Sequence, residues 1–151
     1  MIVIPLVIFG LAGLAWVVLA NEPGDKPPPA PTRNIIVQNK VAIGPNELVE
    51  DATPAYLSAQ AVSYCANKNC KVDGTDLKSG DNLETTCYVH GEKMYNYSLD
   101  SQASANNPNK FQSDLWYQAR HSNGKTGYIS EVYIEKSYRG GQNLPMCLAA
   151  S

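Results

Sequence analysis

The sequence predicts an all-β domain, a small antiparallel barrel or sandwich carried behind an apolar leader and a Pro-rich spacer. Three observations predict it. From Ala61 onward, short apolar and aromatic runs alternate with turn clusters rich in Asp, Asn and Gly. An Asn123-Gly124 pair stands between two such runs, and this is a strong short-range hairpin signal because both residue types tolerate positive φ. Four cysteines, Cys65, Cys70, Cys87 and Cys147, all lie beyond the leader, as in small exported domains stapled by disulfides.

The leader, residues 1–20, contains no charged side chain. At about 1.5 Å rise per helical residue it can just cross a hydrocarbon core of about 30 Å. It reads as a transmembrane anchor or as a signal segment cleaved after Ala20. Val18-Leu19-Ala20 suits a signal peptidase, whereas the length exceeds the usual signal core of roughly 7 to 15 residues. No basic residues precede it, so its orientation rests on the cysteines rather than on flanking charge. Residues 21–33 hold five of the ten prolines, Pro23, Pro27, Pro28, Pro29 and Pro31. That composition favours extended polyproline II, a stiff spacer reaching up to about 40 Å at about 3.1 Å per residue.

Residues 34–60 read as an irregular lead-in. Ile35 to Val37 and Val41 to Ile43 are extended pieces, Pro45, Asn46 and Pro54 interrupt any long helix, and 47–61 has room for a helical turn or two. Residues 61–147 form the domain and its tail. Strands are predicted at 61–66, 83–90, 115–120 and 125–130, with a long loop at 67–82. Residues 91–114, including Asn106, Asn107, Pro108 and Asn109, are too polar for a core and read as a long surface loop. Trp116 and Tyr117 adjoin on a strand, so one points inward and the other outward. Gly127 marks a bulge or a close backbone approach.

An even cysteine count behind an export signal implies two disulfides and an oxidising compartment. Four cysteines allow three connectivities. The expected one pairs Cys65 with Cys70 across a short turn and Cys87 with Cys147, tying down a tail that otherwise frays. The rival, Cys70 with Cys87 and Cys65 with Cys147, stays open at this point.

The stretches CKVDGTDLKSGDNLETTCYV and LWYQARHSNGKTGYISEVYI resemble the bacterial SH3-like domain. Gly74, Thr75, Leu77, Gly80, Trp116, Tyr117, Gly124, Gly127, Tyr128, Ile129, Ser130 and Tyr133 carry the pattern, over roughly residues 61–135. With PAYLS at 54–58 and YRGGQNLPMC at the end, the run is similar to membrane-linked or secreted actinobacterial proteins of this type. The resemblance implies a small SH3-like barrel with a long loop insert, an extracytoplasmic location, and binding of cell-wall peptides or other proteins. By fold analogy the groove is expected between 67–82 and 91–114. No hydrolase domain accompanies the match, so wall cleavage is not expected.

A net charge of −2 and a pI of about 5.6 argue against a nucleic-acid partner. Between Glu47 and Asp100 nine carboxylates face four lysines, which reads as a solvated acidic face. The five-residue step from Cys65 to Cys70 finds no second half-site for zinc. Asp73-Gly74-Thr75-Asp76 lacks the arrangement of an EF-hand loop, and the Asn96-Tyr97-Ser98 sequon reads as chance. His90 and His121 read as exposed polar residues, and no nucleophile elbow, phosphate loop, dinucleotide fingerprint or zincin motif occurs. The sequence therefore points to no catalytic residue, cofactor or metal.

The positive signal is aromatic. Nine tyrosines and two tryptophans against two phenylalanines favour amphipathic rings, which suit contact surfaces. Tyr64, Tyr88, Trp116 and Tyr128 are assigned to the core, and Tyr95, Tyr97, Tyr117 and Tyr133 to the binding surface. The expected function is that of a non-catalytic extracytoplasmic binding module, tethered through residues 1–20 or secreted, with a cell-wall peptide or polymer or an envelope protein as partner. The alternative is an accessory structural subunit of a larger membrane complex, since Gly10, Ala12, Gly13 and Ala15 permit close helix approach.

Overall fold

Antiparallel pairing of β-type runs organises the protein, whose computed structural model describes residues 28–148. The apolar segment 1–20 and most of the spacer 21–33 lie outside the described residues. Six strands follow in order: β1 (Arg33–Ile36), β2 (Lys40–Ile43), β3 (Glu47–Glu50), β4 (Asn82–Tyr95), β5 (Gln112–Arg120) and β6 (Thr126–Ser130). The main sheet runs β1-β4-β5-β6, and β2-β3 forms a separate hairpin. Helix is confined to one-turn 3₁₀ segments among the described residues, such as Glu131–Tyr133 and Lys136–Tyr138. No helix among them is long and apolar enough to cross a membrane.

The expected barrel does not close. β6 ends the sheet, and its outer edge meets only the isolated bridge Ser58↔Tyr128. There Ser58 N donates to Tyr128 O at 2.9 Å and Tyr128 N donates to Ser58 O at 2.7 Å. At the β1 side the chain continues into a single Val37↔Ile134 bridge. Irregular chain thus shields the edges where strand-to-strand closure was expected, because Pro54 and the bends around it cannot sustain a ladder.

Residues 61–66 are turn, not strand. A Cys65–Cys70 disulfide with a Cα separation of 4.6 Å closes this loop, and Lys68 N and Cys70 N both donate to Cys65 O, at 3.1 and 2.9 Å. Backbone spent on a tight turn is not available to a sheet. Residues 47–61 likewise hold β3 and irregular chain in place of the expected helical turns.

β4 continues past His90 to Tyr95 and β5 starts at Gln112, so the insert shrinks to residues 96–111. Two register shifts in β4, between Thr85 and Cys87 and between His90 and Met94, break the period-2 pattern that would have revealed its length. Nor is the insert all surface, for Asn96, Ser104 and Asn107 are buried. Asn107 Nδ2 donates to the carbonyls of Ile43 at 2.8 Å and Glu47 at 2.9 Å, pinning the insert to the β2-β3 hairpin.

The core gathers Ile35, Leu57, Leu77, Leu83, Ile129 and Ile134 around Tyr117. Trp116 and Tyr117 are 3 % and 0 % exposed, so both faces of β5 are covered and the expected outward place of Tyr117 is corrected. Its hydroxyl has partners inside: Glu131 Oε1 at 3.1 Å, Tyr138 O at 3.2 Å, and Gly141 N donating at 2.9 Å. Tyr64, assigned to the core, is instead 71 % exposed. Tyr88 and Tyr128 are half-buried. Gly127 is a close approach, since a Cβ there would lie 2.9 Å from both Leu57 Cβ and Ser58 O.

The cysteines pair as Cys65–Cys70 and Cys87–Cys147. Beside the second bridge Cys147 N donates to Tyr88 O at 2.8 Å, so the tail is laid against β4. The 121–125 turn differs in detail from expectation: Gly124 has φ +86° and donates to His121 O at 2.9 Å, while Asn123 has no positive φ. This is a turn followed by a left-handed glycine. Asn123 works through its side chain, accepting from Lys125 N at 3.0 Å and donating to Gly74 O at 2.7 Å.

Two outcomes are expected in urea denaturation. Gly124→Val should cost about 1 to 2 kcal/mol for the left-handed backbone, and Asn123→Val about 0.5 to 1.5 kcal/mol per lost hydrogen bond. Equal stability of Gly124→Val and the parent would place the turn elsewhere. Replacing Cys87 and Cys147 together by Ser opens a loop with a sequence separation of 60, and chain-entropy reasoning sets the loss at up to about 4 kcal/mol. Peptide mapping without reductant should recover Cys87 joined to Cys147, and a peptide joining Cys87 to Cys65 or Cys70 contradicts the pairing.

Candidate functional site

Where residues 51–64 pass over the sheet, they leave a cleft of about 330 Å³ between themselves, the end of β4 and the chain after β6. Its aromatic walls are Tyr56, Tyr64, Tyr95, Trp116 and Tyr133, and Ser58, Ser63, Asn96 and Ser130 add polar groups. Lys40 and Asp51 line it as well, one charge of each sign. A volume in this range suits a ligand pocket, for which about 300 to 1,000 Å³ is usual.

Each ring is set by local chemistry. Trp116, on β5, donates from Nε1 to Glu92 O at 2.9 Å, which satisfies the indole on a buried strand. Tyr133 closes the 3₁₀ turn Glu131–Tyr133, whose entry is capped by Ser130 accepting from Val132 N. The Tyr56 hydroxyl accepts from Ala66 N at 3.0 Å, and Lys71 Nζ sits 5.0 Å from its ring centroid. Tyr95 meets Tyr97 edge-on at 5.5 Å. Tyr64 has φ +54°, a left-handed backbone that costs an aromatic residue about 1 to 3 kcal/mol. The turn in which Asn67 N donates to Tyr64 O at 2.9 Å, beside the Cys65–Cys70 bridge, holds it there.

A second hollow of about 360 Å³ adjoins the cleft and shares Ser63, Tyr64, Met94 and Tyr95 with it. Beyond that shared wall it is lined by Glu92, Lys93, Tyr97, Leu99 and Asp100, among others. Lys110 Nζ lies 4.2 Å from the Tyr97 ring centroid on this side. Tyr64 and Tyr95 therefore form a ridge between two hollows.

Burial, with smaller contributions from Tyr56, Asp51 and Tyr64, pushes the Tyr133 hydroxyl up to about 12, so it stays neutral as a hydrogen-bonding group. Hydrogen bonds from Ser63, then Lys68, hold the Glu92 carboxyl below the usual range. Ser63 N donates to Glu92 Oε2 at 2.9 Å and Lys68 Nζ at 3.2 Å, so Glu92 clips the 61–64 turn to β4. Hydrogen bonds from Ser79 likewise lower Glu50, which pairs in register with Lys40.

Of the four tyrosines expected at the surface, Tyr95 and Tyr133 line the cleft, Tyr97 lines the second hollow, and Tyr117 is in the core. No residue of 67–82 lines the cleft, so its second wall is the 51–64 segment rather than that loop. Sequence reasoning missed Tyr56, Tyr64 and the cleft-facing part of Trp116. Two tyrosines in a stretch broken by Pro54 and followed by a short Cys-to-Cys turn were the available signal, since such chain seldom supplies a core.

The other motifs resolve into structure. His90 is exposed and pairs with Asp114 at 3.2 Å, and His121 accepts from Asn123 N in the hairpin. Asn96 of the sequon is buried with both ends of its amide bonded, to Asn109 O at 3.1 Å and from Phe111 N at 2.7 Å. Lys125 Nζ donates to Asp73 O at 2.6 Å, so the acidic loop already holds a cation of the chain itself. No family model, curated protein or solved structure matches this chain.

The Glu92 clip gives a pH prediction. A carboxyl with a depressed folded pKa stabilises fully above its unfolded value, about 4.3, and the contribution is lost as pH falls through the lower folded value. The Ser63 amide signal in NMR should shift in a single titration whose midpoint lies below the ordinary glutamate value of about 4.3. Glu92→Gln should remove that step, and an unchanged step in this variant would show that another group holds the turn.

Proposed function

We propose that this protein is a non-catalytic binding module of the cell envelope, an SH3-like domain held outside the cytoplasm that takes a wall peptide, a wall polymer or an envelope protein in its tyrosine cleft. The observation that carries the reading is the cleft itself. Five aromatic side chains line one space, and among the described residues only Tyr95 of these meets another ring, edge-on to Tyr97. Rings held apart around an open volume are surface that a guest can cover. The two disulfides fit an oxidising environment, in line with the apolar leader read from the sequence.

The test is capture of the full chain by purified cell wall and by immobilised envelope extract. Tyr64→Ala, at an exposed ring, should weaken capture about tenfold or more, the size expected of a central aromatic contact. Failure of both matrices to retain the parent, or equal retention of Tyr64→Ala, contradicts the proposal.

A further inference from the structure

The two hollows and their shared ridge allow the ligand class to be narrowed, an inference that rests on the binding-module reading. Peptides are commonly held by main-chain pairing to exposed backbone. The cleft offers little of this. Asp51 N donates to Asn39 O at 2.8 Å, Ser58 exchanges both its backbone bonds with Tyr128, and Ser63 N is taken by Glu92. Asn96 N donates to Phe111 O at 3.1 Å and Asn96 O accepts from Ala42 N at 2.7 Å. Thr53 O accepts from Asn39 Nδ2 at 2.9 Å.

Ring faces and hydroxyls remain. Among the described residues the hydroxyls of Tyr64, Tyr95 and Tyr133 make no hydrogen bond within the protein, and all three line the first hollow. Charge discriminates little, because each hollow carries both signs: Lys40 and Asp51 in one, Lys93 with Glu92 and Asp100 in the other. Glu92 is moreover paired with Lys68 at 3.2 Å. Apolar faces bordered by hydroxyls, without a dominant charge, complement a sugar ring, which has C–H faces and hydroxyl edges.

We infer that the paired hollows bind a stretch of polysaccharide, at least one sugar unit on each side of the Tyr64–Tyr95 ridge. Each hollow, at about 330 and 360 Å³, has the volume of a small ligand site of its own. Continuity across a shared wall selects a chain over a single sugar, since linked units bind as one ligand at high effective concentration.

The experiment uses the full chain in a micelle of a detergent without a sugar headgroup, captured on purified bacterial cell wall. Competitors are glycan strands stripped of peptide by an amidase, the peptides so released, and N-acetylglucosamine as monomer and as linear tetramer. Glycan strands should displace the protein and the peptides should not. The tetramer should compete at least tenfold better than the monomer, and Tyr95→Ala should abolish that advantage while Tyr64→Ala, at the exposed ridge ring, serves if Tyr95→Ala does not fold. His121→Ala, at the far end of the sheet, should behave as the parent. Displacement by peptides alone, or equal potency of monomer and tetramer, overturns the saccharide inference while the binding module stands. Loss of capture on every envelope matrix overturns the module itself.

Discussion

Two neighbouring side chains on β5, Trp116 and Tyr117, are both buried, and the rest of the architecture answers that constraint. Successive residues of a strand point to opposite faces, so a sheet that buries both must be covered twice. On the Tyr117 side the cover is the apolar core. Burial also raises the Tyr117 hydroxyl well above its ordinary range, so it is a neutral group that needs partners inside. Glu131, 5 % exposed, supplies one, and its carboxylate also receives Gly140 N and the Ser113 hydroxyl. Breaking a buried charged network of this kind by removing one member costs several kcal/mol, of order 3 to 5. Through Gly140 and Gly141 the same node holds the tail, where Gly140 to Asn143 all have positive φ before the chain reaches Cys147.

On the Trp116 side the β2-β3 hairpin lines the cleft through Lys40 and Val41. The cover is residues 51–64, anchored at the β6 edge through Ser58 and brought against β4 at Gly91. A Cβ at Gly91 would clash with Ala61 O and would lie 2.8 Å from Trp116 Cδ1, so the glycine lets the cover settle on the indole. Irregular chain laid over a twisted sheet does not fill all the space beneath it. The cleft is that remaining space, and its tyrosines come from the cover as much as from the sheet.

The parts legible in the sequence are those specified locally. The 83–90, 115–120 and 125–130 strands stand in the structure because each carries its own apolar pattern between turn residues. Cys65 and Cys70 are neighbours in sequence, Gly127 has a steric reason visible in any strand, and the left-handed turn residue is Gly124. What escaped depends on distant partners. Alternation alone gives Tyr117 an outward place, and it is Glu131, fourteen residues on, with Tyr138 O and Gly141 N, that makes its hydroxyl tolerable within. Tyr64 sits in an apolar run that reads as core, whereas the disulfide turn next to it holds it out. Asn107 looked like surface until its amide met the carbonyls of the β2-β3 hairpin. Closure of the barrel was a property of the resembled family, and the bulges of β4 with the Pro54 segment lead to an open sheet instead.

The central claim is that one segment both seals Trp116 and builds the cleft, and Gly91→Ala tests it most directly. The added methyl pushes on Ala61 and on the indole together, and these supply its three nearest atoms. Stability in urea and capture on cell wall should be measured on the same preparation, at a temperature where the variant remains folded. The account predicts that both fall, stability by about 1 to 3 kcal/mol as for other overpacked sites and capture with it. A variant that loses that stability yet binds as the parent does would contradict it, because the cleft would then be independent of the cover.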